Sequence, residues 1–371
     1  MVEHGGNRWQ AARLYGFRPQ AMVDFSANLN PLGPPPGLTA YLAEFLSEIA
    51  YYPDPAYPEL QETLQEHLQT TAPVVLANGA VEAIRLLPLV LRPRKVLVVE
   101  PAFGEYAAAS LAAGAETEFL LLRPETAFAL DPEEFKERVA GHDLCFLGNP
   151  NNPTGGVLLP REELIRIIAE RPECLFIVDE SFVDFLPSPR SAHSLAPSVT
   201  GLPNLCVVYS LTKFFALPGL RLGCAVTSRE LARRLEECSP PWRINALAAR
   251  AGVYVLRQKG YIAYTKEFVS REREALAASL SSLGIICYPA SANFILASLV
   301  GVGITGSYLQ ARLAPQGILI RRCSSFTGLD DRFIRLAARL PWENRYLVRQ
   351  LKYLLKHPEV DDGGPGTSNF G

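Results

Sequence analysis

Lys213 follows an apolar, β-branched run, Leu205 to Tyr209, in the stretch VVYSLTKFFALPGLRLG. No acidic residue stands between it and Gly223, and a fixed cation, Arg221, lies eight positions on. A lysine leaving a buried strand with no carboxylate close by is a candidate for a depressed pKa. Its amine would then be neutral enough to attack a carbonyl carbon and form a Schiff base. An isolated lysine at a strand end is ordinarily a solvated one. This lysine has companions: the Ser210 and Thr212 hydroxyls and the Arg221 guanidinium together suit a phosphate dianion held beside the amine.

Three further pieces offer polar chemistry. Asn78-Gly79-Ala80 joins a strand-like run, Val74 to Leu76, to a helical pattern from Val81 to Leu91. Free amides at a helix start bind phosphate, and glycine allows close approach. Asp179 ends the apolar run Leu175 to Val178, where it is either a helix cap or a carboxylate with a cationic partner. Near the start, His4-Gly5-Gly6-Asn7 and Asp24 to Gly33, which contains Asn30, expose backbone amides and neutral donors able to meet a small anion.

The elements that must position these groups follow from a series of short apolar runs. They fall at Val96 to Val99, Phe119 to Leu122, Leu144 to Leu147, Leu175 to Val178, Leu205 to Tyr209 and Cys224 to Thr227, mostly separated by helical patterns such as Glu162 to Glu170. Strands buried on both faces and alternating with helices predict an α/β fold with a largely parallel sheet. Polar chemistry in such sheets collects at the carboxyl ends of the strands, and Asn149 to Gly155, Asp179 and Lys213 all fall there. A long helical pattern runs from about Ile244 to Leu283. Beyond it, Gly317 to Cys323 and Phe333 to Arg339 both read as strands. On the second of these, period two puts Arg335 and Arg339 on one face, about 13 Å apart.

The S-L-T-K and P-G-L-R-L-G strings, with Asn-Pro-Asn-Asn-Pro-Thr-Gly at 149–155, resemble the fold-type I pyridoxal-phosphate (PLP) enzymes, the aspartate aminotransferase superfamily. The resemblance covers about residues 20 to 355 and implies that Lys213 carries pyridoxal 5′-phosphate as a Schiff base. By the same likeness Ser210, Thr212, Arg221, Gly79 and Ala80 would hold its phosphate, Phe103 would stack on its ring, Asn152 would bond its phenolic oxygen and Asp179 would pair with its ring nitrogen. In the histidinol-phosphate aminotransferase-like branch a tyrosine in a Tyr-Pro-Asp step reaches the partner subunit's cofactor phosphate. Tyr52 is the matching residue and implies a homodimer. One departure concerns the position three after the aspartate, commonly tyrosine in this superfamily and here Phe182.

Four strings are similar to those of the L-threonine-O-3-phosphate decarboxylase family: His-Gly-Gly-Asn, Asp-Phe-Ser-Ala-Asn-Leu-Asn-Pro-Leu-Gly, Asp-Glu-Ser-Phe-Val-Asp-Phe and Leu-Ile-Arg-Arg-Cys-Ser-Ser-Phe. That likeness implies loss of carbon dioxide from threonine phosphate, giving aminopropanol phosphate for cobalamin biosynthesis. The alternatives are a class I/II aminotransferase and a non-catalytic PLP-binding sensor. Arg335 would clamp the substrate α-carboxylate, and His4, Asn30, Arg321 and Arg339 would take its phosphate.

Composition agrees with a small-molecule enzyme. The formal net charge is -2 and no basic run is visible, which argues against nucleic acid or a membrane surface as partner. No uninterrupted apolar stretch reaches about 18 residues, and MVEHGGNRWQ lacks a signal-peptide layout, so a cytoplasmic protein is expected. The seven cysteines include no CxxC pair and the five histidines no ligand spacing, so no metal site is expected. The expected organisation is an N-terminal arm (1–40) joining the small domain, a large PLP-binding α/β domain (41–245), a small α+β domain (246–357) and a disordered tail (358–371).

Overall fold

The computed structural model describes residues 5–187 and 189–357, so His4 and the segment 358–371 lie outside the described residues. Its centre is a seven-stranded sheet. In spatial order the strands are Val74–Ala77, Gly223–Val226, Leu205–Ser210, Leu175–Asp179, Leu144–Gly148, Lys95–Glu100 and Glu116–Leu121. Gly223–Val226 runs antiparallel to both of its neighbours and the other pairings are parallel. The α/β expectation therefore holds.

Strand chemistry explains the layering. Along Leu205–Ser210 every residue is buried: Leu205, Val207 and Tyr209 enter one apolar layer, while Cys206 and Val208 enter the other. Period-two alternation of two apolar faces is what a strand covered by helices on both sides requires. The edge strand Glu116–Leu121 is covered less and leaves Leu121 half exposed.

A second, four-stranded antiparallel sheet has the order Arg321–Arg322, Phe333–Ala337, Phe294–Ser298, Ile286–Cys287. Two-residue pairing also joins Val23–Asp24 to Ile318–Leu319, in parallel, so the amino-terminal segment is built into the carboxyl-terminal part of the chain. Val23, Phe25, Leu280, Ile295, Ile318, Ile334 and Leu347 share one apolar cluster there.

Several boundaries differ from those expected. Gly317 to Cys323 is not one strand: Ile318–Leu319 and Arg321–Arg322 pair in different sheets. The strand from Phe333 stops at Ala337, because Pro341 opens the helix Pro341–Lys356 and the chain must turn before it. Arg339 is thus off the strand, and the shared face with Arg335 does not form. The Ile244 to Leu283 pattern is two helices, Ala246–Leu256 and Lys259–Ser281, parted where Gln258 leaves helical geometry (φ −83°, ψ 64°). The first of them packs tightly on the large unit: a Cβ at Gly252 would come within 2.6 Å of Leu60 and 2.7 Å of Leu222.

Candidate active site

A cavity of about 620 Å³ opens at the carboxyl ends of the central strands. Each strand end delivers side chains to it: Phe103 and Tyr106 from beyond Lys95–Glu100, Asn152 from beyond Leu144–Gly148, Asp179 from its own strand, and Ser210, Thr212 and Lys213 from Leu205–Ser210 and the turn that follows. The second sheet adds Arg321 and Arg335, and the amino-terminal segment adds Gly5, Gly6, Arg8, Asp24, Ser26 and Asn28.

Lys213 lies in the short helix Leu211–Phe214, whose N-cap is Ser210. Burial lowers its ammonium to about 8, and the Arg335 and Arg221 guanidinium groups push in the same direction against Asp179. At pH 7 about one amine in ten is therefore free to react, against fewer than about one in a thousand at the ordinary value. The Ser210 and Thr212 hydroxyls lie 2.7 Å apart. Arg221 holds a left-handed backbone (φ 58°), an uncommon state for a non-glycine residue. Its guanidinium fills the space a side chain would need at Gly79, where a Cβ would come within 2.4 Å of Nη2. Ala80, the first residue of the twelve-residue helix Ala80–Leu91, presents its amide in the same corner. Two hydroxyls, a guanidinium and a helix start around a space that glycine keeps open form a cradle suited to a phosphate.

At the opposite side of the cavity floor, the Tyr106 hydroxyl donates to Asp179 Oδ2 at 2.7 Å and the Ser181 amide donates to Oδ1 at 2.9 Å. Tyr106 stacks flat on Phe146, with centroids 5.1 Å apart and planes at 2°. Burial pushes its phenol well above the ordinary value, and Asp179 adds to the shift. The phenol stays protonated and serves only as a donor to the carboxylate. Phe103 meets the edge of Tyr106 and lines the cavity.

Arg335 donates to Asn152 Oδ1 and, at 2.7 Å, to the Ser26 carbonyl. It lies over the Phe294 ring at 5.4 Å, and Phe294 meets Phe182 edge to face at 5.0 Å. Burial lowers the Arg335 guanidinium to about 10, with Arg321 adding to the fall and Cys323 and Asp24 opposing it. Arg321 and Arg335 are direct cross-strand partners, 4% and 6% exposed. Like charges placed opposite each other destabilise a strand pair. Arg321 donates to Ser325 at 2.6 Å and lies over Phe326.

The remaining expected residues divide. Arg339 lines the cavity, but Glu343 takes its guanidinium at 2.8 Å. Asn30 is not brought to the cavity: it is buried with its amide donating to the Phe214 carbonyl (2.9 Å) and the Tyr261 hydroxyl (2.7 Å). Asn28 takes that place, lining the cavity with a buried Oδ1 that has no hydrogen-bond partner among the described residues. Tyr52 lies apart, 77% exposed and stacked on Trp242 at 4.3 Å beside a second cavity of about 400 Å³. His4 lies outside the described residues, although the Gly6 amide donates to Ser26 Oγ at 2.8 Å at the rim. Ser26 in turn donates to Asp24 Oδ1 at 2.6 Å, and Arg8 Nε donates to Oδ2 at 3.4 Å. Sequence reasoning missed Tyr106, although an aromatic residue three after Phe103 was a usable signal. Among the described residues no group of three or more His, Cys, Asp or Glu could hold a metal, and no helix is long and apolar enough to cross a membrane.

The sequence profile of the aminotransferase class I and II family matches residues 20–351. The chain is 37% identical over 358 residues to the threonine-phosphate decarboxylase of Salmonella typhimurium, covering 95% of this chain and 96% of that protein. Among solved structures, histidinol-phosphate aminotransferase from Clostridium acetobutylicum superposes with a TM-score of 0.84 at 31% identity, over 90% of this chain and 99% of that one. L-threonine-O-3-phosphate decarboxylase from Porphyromonas gingivalis superposes with a TM-score of 0.79 at 27% identity, over the same shares.

Proposed function

The chain belongs to the class I and II aminotransferase family, and on that footing we propose that it binds pyridoxal 5′-phosphate and decarboxylates L-threonine O-3-phosphate to aminopropanol phosphate, a step of cobalamin biosynthesis. The observation that carries this reading is the Arg321 and Arg335 pair, two buried guanidinium groups opposite each other in one cavity with Lys213. Such a pair is stable when anions lie against it, and a substrate with both a carboxylate and a phosphate supplies two. The 37% identity to the Salmonella decarboxylase supports the same substrate.

The residues present fit the cofactor. Ser210, Thr212, Arg221 and the Ala80 amide would hold its phosphate, Phe103 would cover its ring, Asp179 would face its ring nitrogen and Asn152 its phenolic oxygen. Bound there, the group supplies an electron sink for the pair left behind when the substrate carboxylate departs as carbon dioxide. The protein's own part is orientation. Arg335 would grip the α-carboxylate with its planar fork, while Arg321, Asn28 and the amino-terminal arm with His4 would take the phosphate. Phe182 lines the cavity with Phe294 behind it and under Arg335, an apolar surface that would keep water from the reacting bond. Lys213, lowered to about 8, carries a proton that it can deliver to the α-carbon after carbon dioxide has left.

We also infer a homodimer in which Tyr52 reaches the partner's site. Its exposure beside Leu46, Ile49 and Tyr51, each more than half exposed, supports that reading. A cytoplasmic setting accords with Cys145, Cys174, Cys206, Cys224 and Cys323, all free and buried. An arm running to about residue 40 accords with the pairing of Val23–Asp24 and Ile318–Leu319. A second reading, an aminotransferase, draws on the 0.84 TM-score with the Clostridium enzyme.

The deciding experiment mixes the PLP-loaded protein with L-threonine O-3-phosphate in the absence of any 2-oxoacid. Sustained release of carbon dioxide with formation of the amine is expected. No carbon dioxide, together with 2-oxoacid-dependent amino transfer from histidinol phosphate, overturns the decarboxylase in favour of the aminotransferase.

A further inference from the structure

Glu100 ends the strand beside the one that leads to Asn152, and nothing in the chemistry above uses it. It is 2% exposed and, among the described residues, has no ion-pair partner; its side chain accepts only from the Ala102 amide. The turn it starts is pinned by Asn151, which donates to the Pro101 carbonyl at 2.9 Å.

The sheet register places Glu100 with respect to Asp179. Val98 pairs with Phe146, so two residues on, Glu100 comes alongside Gly148, and Gly148 pairs with Asp179. At about 4.8 Å per strand, Glu100 and Asp179 lie roughly 10 Å apart along one row. Val98, Phe146 and Ile177 share one apolar layer, so Glu100, Gly148 and Asp179 face the layer that contains Tyr106. The middle position has no side chain, and the Tyr106 hydroxyl occupies the space: a Cβ at Gly148 would come within 3.3 Å of it. Tyr106 therefore lies over the glycine between two carboxylates and donates to one of them.

We propose that Glu100 is a positioning residue for the cofactor site, acting through the bracketed Tyr106 hydroxyl on Asp179, so that its ionisation strengthens the hold of Asp179 on the protonated ring nitrogen. The inference rests on the reading above that Asp179 faces that nitrogen. Burial raises the Glu100 carboxyl to about 7, and only the Ala102 amide opposes the shift. The groups around it are few. Helix Glu105–Ala112 contributes Tyr106 and Glu105, and the Glu105 carboxylate is taken by Arg85 of Ala80–Leu91. Asp179 faces it across Gly148, and Leu121, its register partner on the other side, is uncharged. Below pH 7 Glu100 is neutral and Asp179 acts alone. Above it, a second negative charge favours the same ring proton.

The test measures the dissociation constant of pyridoxal 5′-phosphate for the full chain on both sides of pH 7, by quenching of tryptophan fluorescence. A Lys213→Ala background removes one group that titrates nearby; Glu180, next to Asp179 and likewise raised to about 7, faces the other layer, where it accepts from Ser194 and the Leu195 amide, and comparison with Glu100→Gln separates its contribution. Affinity is expected to rise by about fivefold on passing pH 7, the scale of one charge acting at this distance. Glu100→Gln, which keeps the volume, should abolish the step, and Glu100→Asp should restore part of it. An infrared carboxylic-acid band of the cofactor-free protein that titrates near 7 and vanishes in Glu100→Gln would identify the group without any cofactor. A step that survives Glu100→Gln overturns the inference while leaving the site reading intact. Unchanged affinity in Asp179→Asn, with the step still present, overturns the reading of Asp179 and the inference with it.

Discussion

Arg335 donates a guanidinium hydrogen bond to the side-chain oxygen of Asn152, tying the second sheet to the loop that follows Leu144–Gly148. A second bond from the same group reaches the Ser26 carbonyl, so three distant parts of the chain meet on one planar fork. Lysine keeps the charge but cannot make both contacts while also gripping a carboxylate. Arg335→Lys should lower kcat/KM for L-threonine O-3-phosphate by roughly a hundredfold with folding intact. Steady-state kinetics showing a loss below about tenfold would remove Arg335 as the carboxylate clamp.

Lys213 ties stability to pH. Its ammonium loses its proton near 8 in the folded chain and near 10.5 when unfolded. Between those values the unfolded chain holds the extra proton, so the cofactor-free protein should gain stability as pH rises through this window. Lys213→Met should lose that rise and be more stable below pH 8 by on the order of 3 kcal/mol. Denaturant unfolding of both proteins across the window checks this, and parallel curves would contradict it.

Gly79 combines a left-handed φ of 78° with the close approach of Arg221. Gly79→Ala should therefore both strain this turn and crowd the phosphate cradle, weakening pyridoxal 5′-phosphate binding by about tenfold or more. Titration of the cofactor-free variant reads this directly; an unchanged dissociation constant would show that Arg221 does not depend on the space it occupies.

Asn28 and Asn30 should separate cleanly. Asn30→Ala leaves the Phe214 carbonyl without that donor and should cost roughly 1–3 kcal/mol of stability with substrate KM little changed. Asn28→Ala removes a side chain at the cavity wall and should raise KM about tenfold with little loss of stability. Melting curves and kinetics with the two effects exchanged would restore Asn30 to the substrate site.

The pattern of success with these residues has a physical basis. Asp179, Ser210, Thr212 and Lys213 were legible because buried strands have a fixed period and a known polar end, and all four line one cavity. Asn28 and Asn30 lie in a segment without regular secondary structure, where no period says which side chain faces inward. Tyr106 became meaningful only through a partner 73 residues away, a contact decided by how a helix packs on the sheet. Arg339 was misplaced because an apparent strand pattern was followed past the turn that Pro341 imposes. Tyr52 lines a different cavity, and the role expected of it was a contact between subunits.

The parallel pairing of Val23–Asp24 with Ile318–Leu319 carries a consequence for biosynthesis. A nascent chain has emitted every strand of the central sheet once Val226 is clear of the ribosome. Its first thirty residues must wait while almost a hundred more are translated before the strand that receives them exists. The wall of the cavity built from Gly5, Gly6 and Asn28 is therefore synthesised before the central sheet and is among the last parts to settle.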